Sequence, residues 1–234
     1  MIDPPSPFFT ATAWVLPVLL AITLHEAAHA YTAHFRGDDT AYRQGRVSLN
    51  PLRHVDPFGT VVLPGVLLAT GSPFLFGYAR PVPVNQHALA DPRRDMVLVA
   101  AAGPAANVVL AIIAFLLLGP LHDVPGDAIG WIVANLQRAL VFNLSLAIFN
   151  LLPIPPLDGA HIAIGLLPPR LSRPLESAMP YGMLVVFGLV VVLPSIGNAI
   201  GIDLNVIGNL VMQVSHAILD AIGTLADAFD PSAA

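Results

Sequence analysis

The sequence predicts an all-α polytopic membrane protein with about five transmembrane helices. Of its 234 residues, 56 % are hydrophobic and only 11 % are charged, whereas about 25 % of the residues of a soluble domain are charged. The mean hydropathy is +0.74, and the apolar residues form stretches of about 20, the length that crosses a bilayer. We therefore expect one integral-membrane domain over residues 1–234, with a core at about 12–165 and a C-terminal helical hairpin at about 181–222.

The N-terminal third predicts one span and two irregular regions. Residues 12–34 are apolar enough to span, and nothing before them resembles a cleaved signal peptide. The polar residues 35–57 are rich in turn formers, and residues 44–49 within them predict a short β element. Residues 58–76 are apolar but interrupted by prolines and glycines, so we expect a re-entrant segment that lines a cavity or is buried in protein.

The remaining two thirds predict four more helices. Residues 97–119 form an apolar stretch without a charge, and residues 129–153 form the next one. The region after residue 153 is polar and rich in proline up to residue 180. Residues 181–199 and 203–222 then predict the helical hairpin.

The arginines predict the orientation in the cell membrane. Basic residues favour the cytoplasmic side, and nine of the ten arginines lie in three polar regions, 35–57, 77–95 and 154–180. These regions lie on one side only if residues 58–76 do not cross the membrane. We therefore expect a multi-pass protein with an external N-terminus and cytoplasmic arginine-bearing loops. The arginines are dispersed, and the chain has no lysine, so no basic cluster indicates a nucleic-acid partner.

The first span contains the motif His25-Glu26-x-x-His29. Residues four apart lie on one face of a helix, so both imidazoles can bind one metal ion while the glutamate lies beside the metal's water. Within residues 12–33 these three are the only charged or imidazole side chains. Ionisable groups are costly inside a membrane. We therefore interpret the motif as a metal site rather than as a chance match.

A catalytic zinc ion usually has three protein ligands and a water. The chain has no cysteine, so the third ligand must be a histidine or a carboxylate. Asp158 is the preferred candidate because it follows a span that ends on the same membrane side as His29, and because the surrounding prolines can turn its carboxylate back toward the metal. A capping or turn role is the alternative for Asp158. The rival ligands are His34, Asp38, Asp39 and His161.

Other polar residues receive structural interpretations. Asn143 and Asn150 lie seven apart on one helix face, which favours hydrogen bonds between helices. The Arg138 side chain is expected to extend toward the membrane interface. Five histidines are interpreted as solvated: His34, His54, His87, His122 and His216.

Taken together, the motifs resemble the site-2 protease family of intramembrane zinc metalloproteases, and in particular its short bacterial members. The two strongest are His25-Glu26-x-x-His29 and Asn150-x-x-Pro153-x-Pro155-x-Leu157-Asp158-Gly159. Shorter matches lie between them: Gly37-Asp38, Asn50-Pro51-Leu52, Asp56-Pro57-x-Gly59-Thr60, Pro81-Val82-Pro83-Val84-Asn85 and Ala102-Gly103-Pro104-x-x-Asn107. The resemblance covers about residues 14–165, shows no inserted PDZ or CBS domain, and does not extend to the last third.

The resemblance implies hydrolysis of peptide bonds within or near the transmembrane segments of other membrane proteins. It implies one zinc ion per chain, with His25, His29 and Asp158 as ligands and Glu26 as the general base toward the zinc-activated water. Asn150 is then expected near the substrate, and Asn107 is a second candidate for contacting it. The expected partners are a transmembrane protein substrate and the lipid bilayer, with the active site toward the cytoplasm.

The alternative is a metal-binding membrane protein without hydrolytic activity, such as a transporter or a sensor. A transporter is expected to show inverted repeats and a site near the middle of the bilayer. Neither is evident in this sequence.

Overall fold

The computed structural model describes residues 7–62, 65–66, 80–121 and 124–228. This part of the chain is helical, and five of its helical regions are long and apolar enough to cross a membrane. The prediction of an all-α multi-pass membrane protein is thereby confirmed. The α-helices are α1 (Pro7–Phe35), α2 (Thr40–Arg43), α3 (Pro92–Leu121), α4 (Asp127–Leu151), α5 (Asp158–Leu166), α6 (Pro169–Ala178), α7 (Gly182–Phe187), α8 (Leu193–Ile200) and α9 (Val206–Ala228).

Shorter helical turns complete the described secondary structure. 3₁₀-helices lie at Pro51–Arg53, Gln86–Ala88 and Met179–Tyr181, and π-helical turns lie at Pro57–Val62 and Gly188–Val192. The second π-helical turn joins α7 to α8, so the helical region continues from residue 169 to residue 200 and contains an apolar stretch long enough to cross a membrane.

Helices α1, α3 and α4 form the centre of the protein, and each packs against the other two. Alanines on α1 are fully buried, among them Ala21, Ala27 and Ala30, and such small side chains allow close helix approach. Of the 18 most apolar consecutive residues of α1, 44 % are buried, compared with 6 % of those in the region Pro169–Ile200. The helix that carries the histidine motif is therefore interior, whereas the C-terminal helices are peripheral.

The polar, proline-rich region 160–180 is mostly helical. Helix α4 ends at Leu151, where prolines without a backbone N–H stop it, and α5 begins at Asp158. The last carbonyl groups of a helix need donors from outside it. Arg93 supplies them to α5, with contacts to the carbonyl oxygens of Gly165 at 3.0 Å and Ile164 at 3.3 Å. This long-range capping could not be foreseen from the local sequence.

The predicted β element at residues 44–49 is absent from the structure. The segment begins with a turn at residues 44–45 and continues without regular structure. A strand needs a partner for its ladder of hydrogen bonds, but here the Ser48 carbonyl pairs with the His54 ring at 2.7 Å. The predicted re-entrant segment at 58–76 lies largely outside the described residues, which show only the π-helical turn at its start and residues 65–66.

Residues 80–85 form an extended segment that connects to the centre of the protein at both ends. The Arg80 amide donates to the His54 carbonyl at 2.9 Å. At the other end, the Asn85 amide donates to Asp38 Oδ2 at 2.6 Å. Pro81 and Pro83 restrict the backbone to extended conformations between these contacts. We call residues 80–85 the extended segment.

Candidate metal centre

Three side chains from two helices converge in the interior. His25 and His29 lie one turn apart on α1, and Asp158 is the first residue of α5. The Nε2 atoms of the histidines are 3.0 Å apart. Asp158 Oδ2 lies 3.2 Å from His25 Nε2, and Oδ1 lies 3.4 Å from His29 Nε2. One potential ligand atom from each residue lies within 4.8 Å of the others, an arrangement that could hold a metal ion.

Asn107 on α3 fixes the orientation of the His25 ring. His25 Nδ1 lies 2.6 Å from Asn107 Oδ1. The Asn107 amide nitrogen donates to the Ala21 carbonyl at 3.2 Å and to Asn143 Oδ1 at 2.8 Å. These two acceptors identify the nitrogen end of the amide, so Oδ1 accepts a hydrogen bond from the Nδ1–H group of His25. His25 Nε2 is then the atom that is free to bind a metal.

The His29 ring is fixed in the same way by the backbone of α3. Its Nδ1 lies 2.7 Å from the Val99 carbonyl oxygen, which can only accept a hydrogen bond. The proton is therefore on Nδ1, and the lone pair of Nε2 points toward His25 and Asp158. Metal-binding histidines commonly donate their other ring N–H to such an acceptor, which sets the tautomer and the ring angle.

Asp158 completes an electron-rich group that suits a cation. Its Oδ2 atom is buried and has no hydrogen-bond partner, which is costly unless a cation satisfies it. With both neutral rings presenting lone pairs, the residues present fit a metal ion with nitrogen and oxygen ligands.

Gly103 on α3 lies directly against the histidines. A Cβ atom at this position would lie 2.6 Å from Cε1 of both His25 and His29, and closer still to His29 Nε2. A glycine is needed here because no larger residue leaves room for the two rings. Gly159, which follows Asp158, is similarly confined, since a Cβ atom there would collide with the carbonyl oxygens of Leu151 and Leu152.

Glu26 lies beside the histidines on α1 and faces the extended segment. Its Oε2 atom accepts a hydrogen bond from the Val82 amide at 2.8 Å. Oε1 has no hydrogen-bond partner among the described residues. One carboxylate oxygen is therefore held in place, while the other remains available to a water or a substrate.

The rival ligands lie outside the group. Asp38 is fully buried and accepts from the Asn85 amide and from the hydroxyl group of Thr40. His34 contacts Asp39 at 2.8 Å instead of facing the other histidines. His161 is not one of the residues whose potential ligand atoms converge.

The structure gives the surroundings of the two predicted substrate contacts and corrects the prediction for one histidine. Asn107 is 0 % exposed and contacts His25, and its contact with substrate stays a prediction, as does that of Asn150. Asn150 is half-buried, and its amide donates to the Leu146 carbonyl of its own helix at 3.1 Å. The prediction that His54 is solvated is wrong, since this residue is fully buried.

Sequence reasoning missed the contribution of two positions around the histidines, Val99 and Gly103. Val99 contributes only a backbone carbonyl oxygen, and such a group leaves no trace in the side-chain pattern. Gly103 and Asn107 lie four apart on one face of α3. That face does pack against α1, and it does so at the two histidine rings.

Comparison with known proteins shows which family the chain is similar to. Residues 119–194 match the family described as Peptidase family M50. The chain is 42 % identical over 175 residues to "Putative zinc metalloprotease YwhC" of Bacillus subtilis, which covers 73 % of this chain and 76 % of that protein. It is 34 % identical over 173 residues to "Putative zinc metalloprotease Rip2" of Mycolicibacterium smegmatis, which covers 74 % and 64 % respectively. No solved structure matches the chain significantly.

The similarity to YwhC extends over about three quarters of both chains. The apolar helices establish a multi-pass membrane protein. The chain therefore belongs to peptidase family M50, the site-2 protease family of zinc metalloproteases.

Proposed function

We propose that the chain is an intramembrane zinc metalloprotease that hydrolyses peptide bonds within or near the transmembrane segments of other membrane proteins. The observation that carries the proposal is the convergence of His25, His29 and Asp158 beside Glu26, on a helix of membrane-spanning length that lies in the interior of the protein. Intramembrane ionisable residues are costly unless they serve a function, and this combination of groups suits hydrolysis.

In the proposed site, Nε2 of His25, Nε2 of His29 and a carboxylate oxygen of Asp158 would hold one zinc ion. When bound, zinc supplies the Lewis acidity that polarises a carbonyl group and makes water more acidic. Asn107 and the Val99 carbonyl keep the two rings in the orientation that presents Nε2. The ring positions are thus set by hydrogen bonds within the chain, before any ligand binds.

Glu26 moves the proton in the proposed mechanism. Its free carboxylate oxygen Oε1 takes a proton from the attacking water and then gives it to the nitrogen of the leaving amine, as a general base and then a general acid. The bond that breaks is the peptide C–N bond, and the bond that forms joins the water oxygen to the carbonyl carbon. The Val82 amide holds Oε2 during this exchange.

The proposed substrate is a transmembrane segment of another protein. In a helical span the peptide groups are hydrogen-bonded within the helix, so the segment must unwind locally before it is attacked. We further propose an external N-terminus and an active site toward the cytoplasm, on the grounds of the arginine distribution.

The proposal is tested by comparing peptides from membranes of cells that express wild type or Glu26→Gln, using mass spectrometry. Fragments that end inside predicted spans should appear only with wild type, and zinc content should be equal in the two proteins. Glu176→Gln is the matched control, because Glu176 is the chain's one other glutamate and pairs with Ser172 on α6.

If Glu26→Gln binds zinc and yields the same fragments as wild type, the protease proposal is wrong. Zinc uptake by vesicles that is unaffected by Glu26→Gln would then favour the transporter. In contrast, fragments that disappear with Glu26→Gln and persist with Glu176→Gln would identify both the activity and a substrate.

A further inference from the structure

Arg46 is a buried cation that has no acidic partner at ion-pair distance among the described residues. The residue is only 6 % exposed, and none of the ion pairs in the described part of the chain includes it. Its Nε atom is buried and has no hydrogen-bond partner. Burying a charge without compensation is costly, so a reason other than packing is needed for an arginine at this position.

The guanidinium group of Arg46 holds the start of the extended segment. Its Nη2 atom donates to the carbonyl oxygen of Arg80. Burial lowers the pKa of Arg46, the positive charge of Arg80 lowers it further, and the negative charge of Glu26 opposes both. Arginine remains protonated in proteins. Arg46 therefore carries a permanent positive charge, which interacts with the negative charge of Glu26.

The contact with Arg80 determines where the Val82 amide points. Only Pro81 separates Arg80 from Val82, and the proline ring fixes one of the two backbone torsions of Pro81. The Val82 amide in turn donates to Glu26 Oε2 at 2.8 Å. The carbonyl oxygen bound by Arg46 and the amide bound by Glu26 are therefore joined by a short, restricted piece of backbone.

We propose that Arg46 is a positioning residue for Glu26, which it affects through the extended segment. By holding the Arg80 carbonyl, Arg46 orients the Val82 N–H group toward Oε2 of Glu26. Oε1 of Glu26 is then left in a fixed position for proton transfer. This inference rests on the proposed function for the role of Glu26, but the connection between Arg46, Val82 and Glu26 can be measured without any activity.

The first test is hydrogen exchange, followed by mass spectrometry on the purified full-length protein. A peptide covering residues 80–85 has amides only at Arg80, Val82, Val84 and Asn85, because the other two residues are prolines. Arg46→Gln should increase exchange in this peptide, and Glu26→Ala should also increase it through loss of the acceptor. Arg53→Gln is the matched control, since exposed Arg53 also donates to a loop carbonyl, that of Gly45, but has no contact with the extended segment.

The second test is the kinetics of cleavage, using a peptide with a cleavage site found in the comparison of wild type with Glu26→Gln. Arg46→Gln should lower kcat by about 100-fold, the loss expected from a misplacement of about 1 Å, with KM and zinc content unchanged. Arg46→Lys keeps a donor for the Arg80 carbonyl and should recover part of the activity. Val82→Pro removes the amide but keeps an extended backbone, and combining it with Arg46→Gln should cause no further loss.

The outcomes separate this inference from the proposed function. Unchanged exchange at 80–85 in Arg46→Gln overturns the inference, whether or not any cleavage is found. If Arg46→Gln loses zinc as well as activity, Arg46 has a purely structural role and the inference is overturned. The inference is also overturned if the losses of Arg46→Gln and Val82→Pro multiply in the double variant. If wild type and Glu26→Gln do not differ in cleavage, the proposed function fails, and the exchange experiment still decides whether Arg46 positions Glu26.

Discussion

Replacement of Gly103 by alanine is expected to abolish tight zinc binding without removing any ligand. The added Cβ atom would lie 2.6 Å from Cε1 of each histidine, and ordinary contact begins at 3.4 Å. Each ring would have to retreat by about 0.8 Å to relieve the overlap. Hydrogen bonds of 2.6 and 2.7 Å to Asn107 and Val99 hold the rings from behind, so retreat breaks them or displaces α1 from α3.

The expected magnitude follows from both effects. Loss of the partners that orient a ligand typically lowers metal affinity by about 10- to 100-fold, and here two ligands are affected, so we expect a loss of about 100-fold or more. Overpacking of an interior site costs about 1–3 kcal/mol of stability, which should be visible as a lower melting temperature of the detergent-solubilised protein.

Gly119→Ala provides the matched control. Gly119 lies on the same helix and also precedes a proline, as Gly103 does, so both alanine variants share the restriction on the residue before proline. A Cβ atom at Gly119 meets nothing within 4 Å. Zinc affinity is measured by titrating the metal-free proteins against a competing zinc indicator. Equal affinities of the two variants would refute the packing argument.

Two further predictions concern the surroundings of the ligands. Asn107→Ala removes the acceptor for His25 Nδ1 and should weaken zinc binding by about 10- to 100-fold, whereas an unchanged affinity in the same titration would show that Asn107 does not orient His25. Gly159→Ala should destabilise the protein by about 1–3 kcal/mol or more, because its methyl group meets the carbonyl oxygens of Leu151 and Leu152; a melting temperature like that of wild type would contradict the assigned contact.

The parts of the site that could be predicted are those determined by local geometry. His25, Glu26 and His29 lie within two turns of one helix, so their relative positions follow from helical periodicity alone. Asp158 is 129 residues beyond His29 in the chain, yet its approach to the histidines was foreseen, because the order of the spans restricts which loops share a membrane side. The structure brings all three potential ligands together, and their role as ligands stays a prediction.

The parts that could not be predicted depend on contacts between distant segments. Glu26 and the Val82 amide are 56 residues apart, and the pairing uses a backbone group that every residue except proline possesses. His54 resembles an ordinary loop histidine in the sequence, but it is buried by contacts with Ser48 and the extended segment. The supposed strand at 44–49 has turn and irregular structure, because its backbone groups find side-chain partners.

The peripheral position of the C-terminal helices has a consequence for how the sequence can change over evolutionary time. Of the 18 most apolar consecutive residues in Pro169–Ile200, only 6 % are buried, and of those in Val206–Thr224 only 11 % are buried. Lipid chains adapt to the shape of whatever apolar side chain they meet, so selection at these positions acts on hydrophobicity more than on shape. The fully buried alanines of α1 face protein on all sides and tolerate little change. Substitution should therefore accumulate fastest in the last third of the chain, while the helices around the histidines are held nearly fixed.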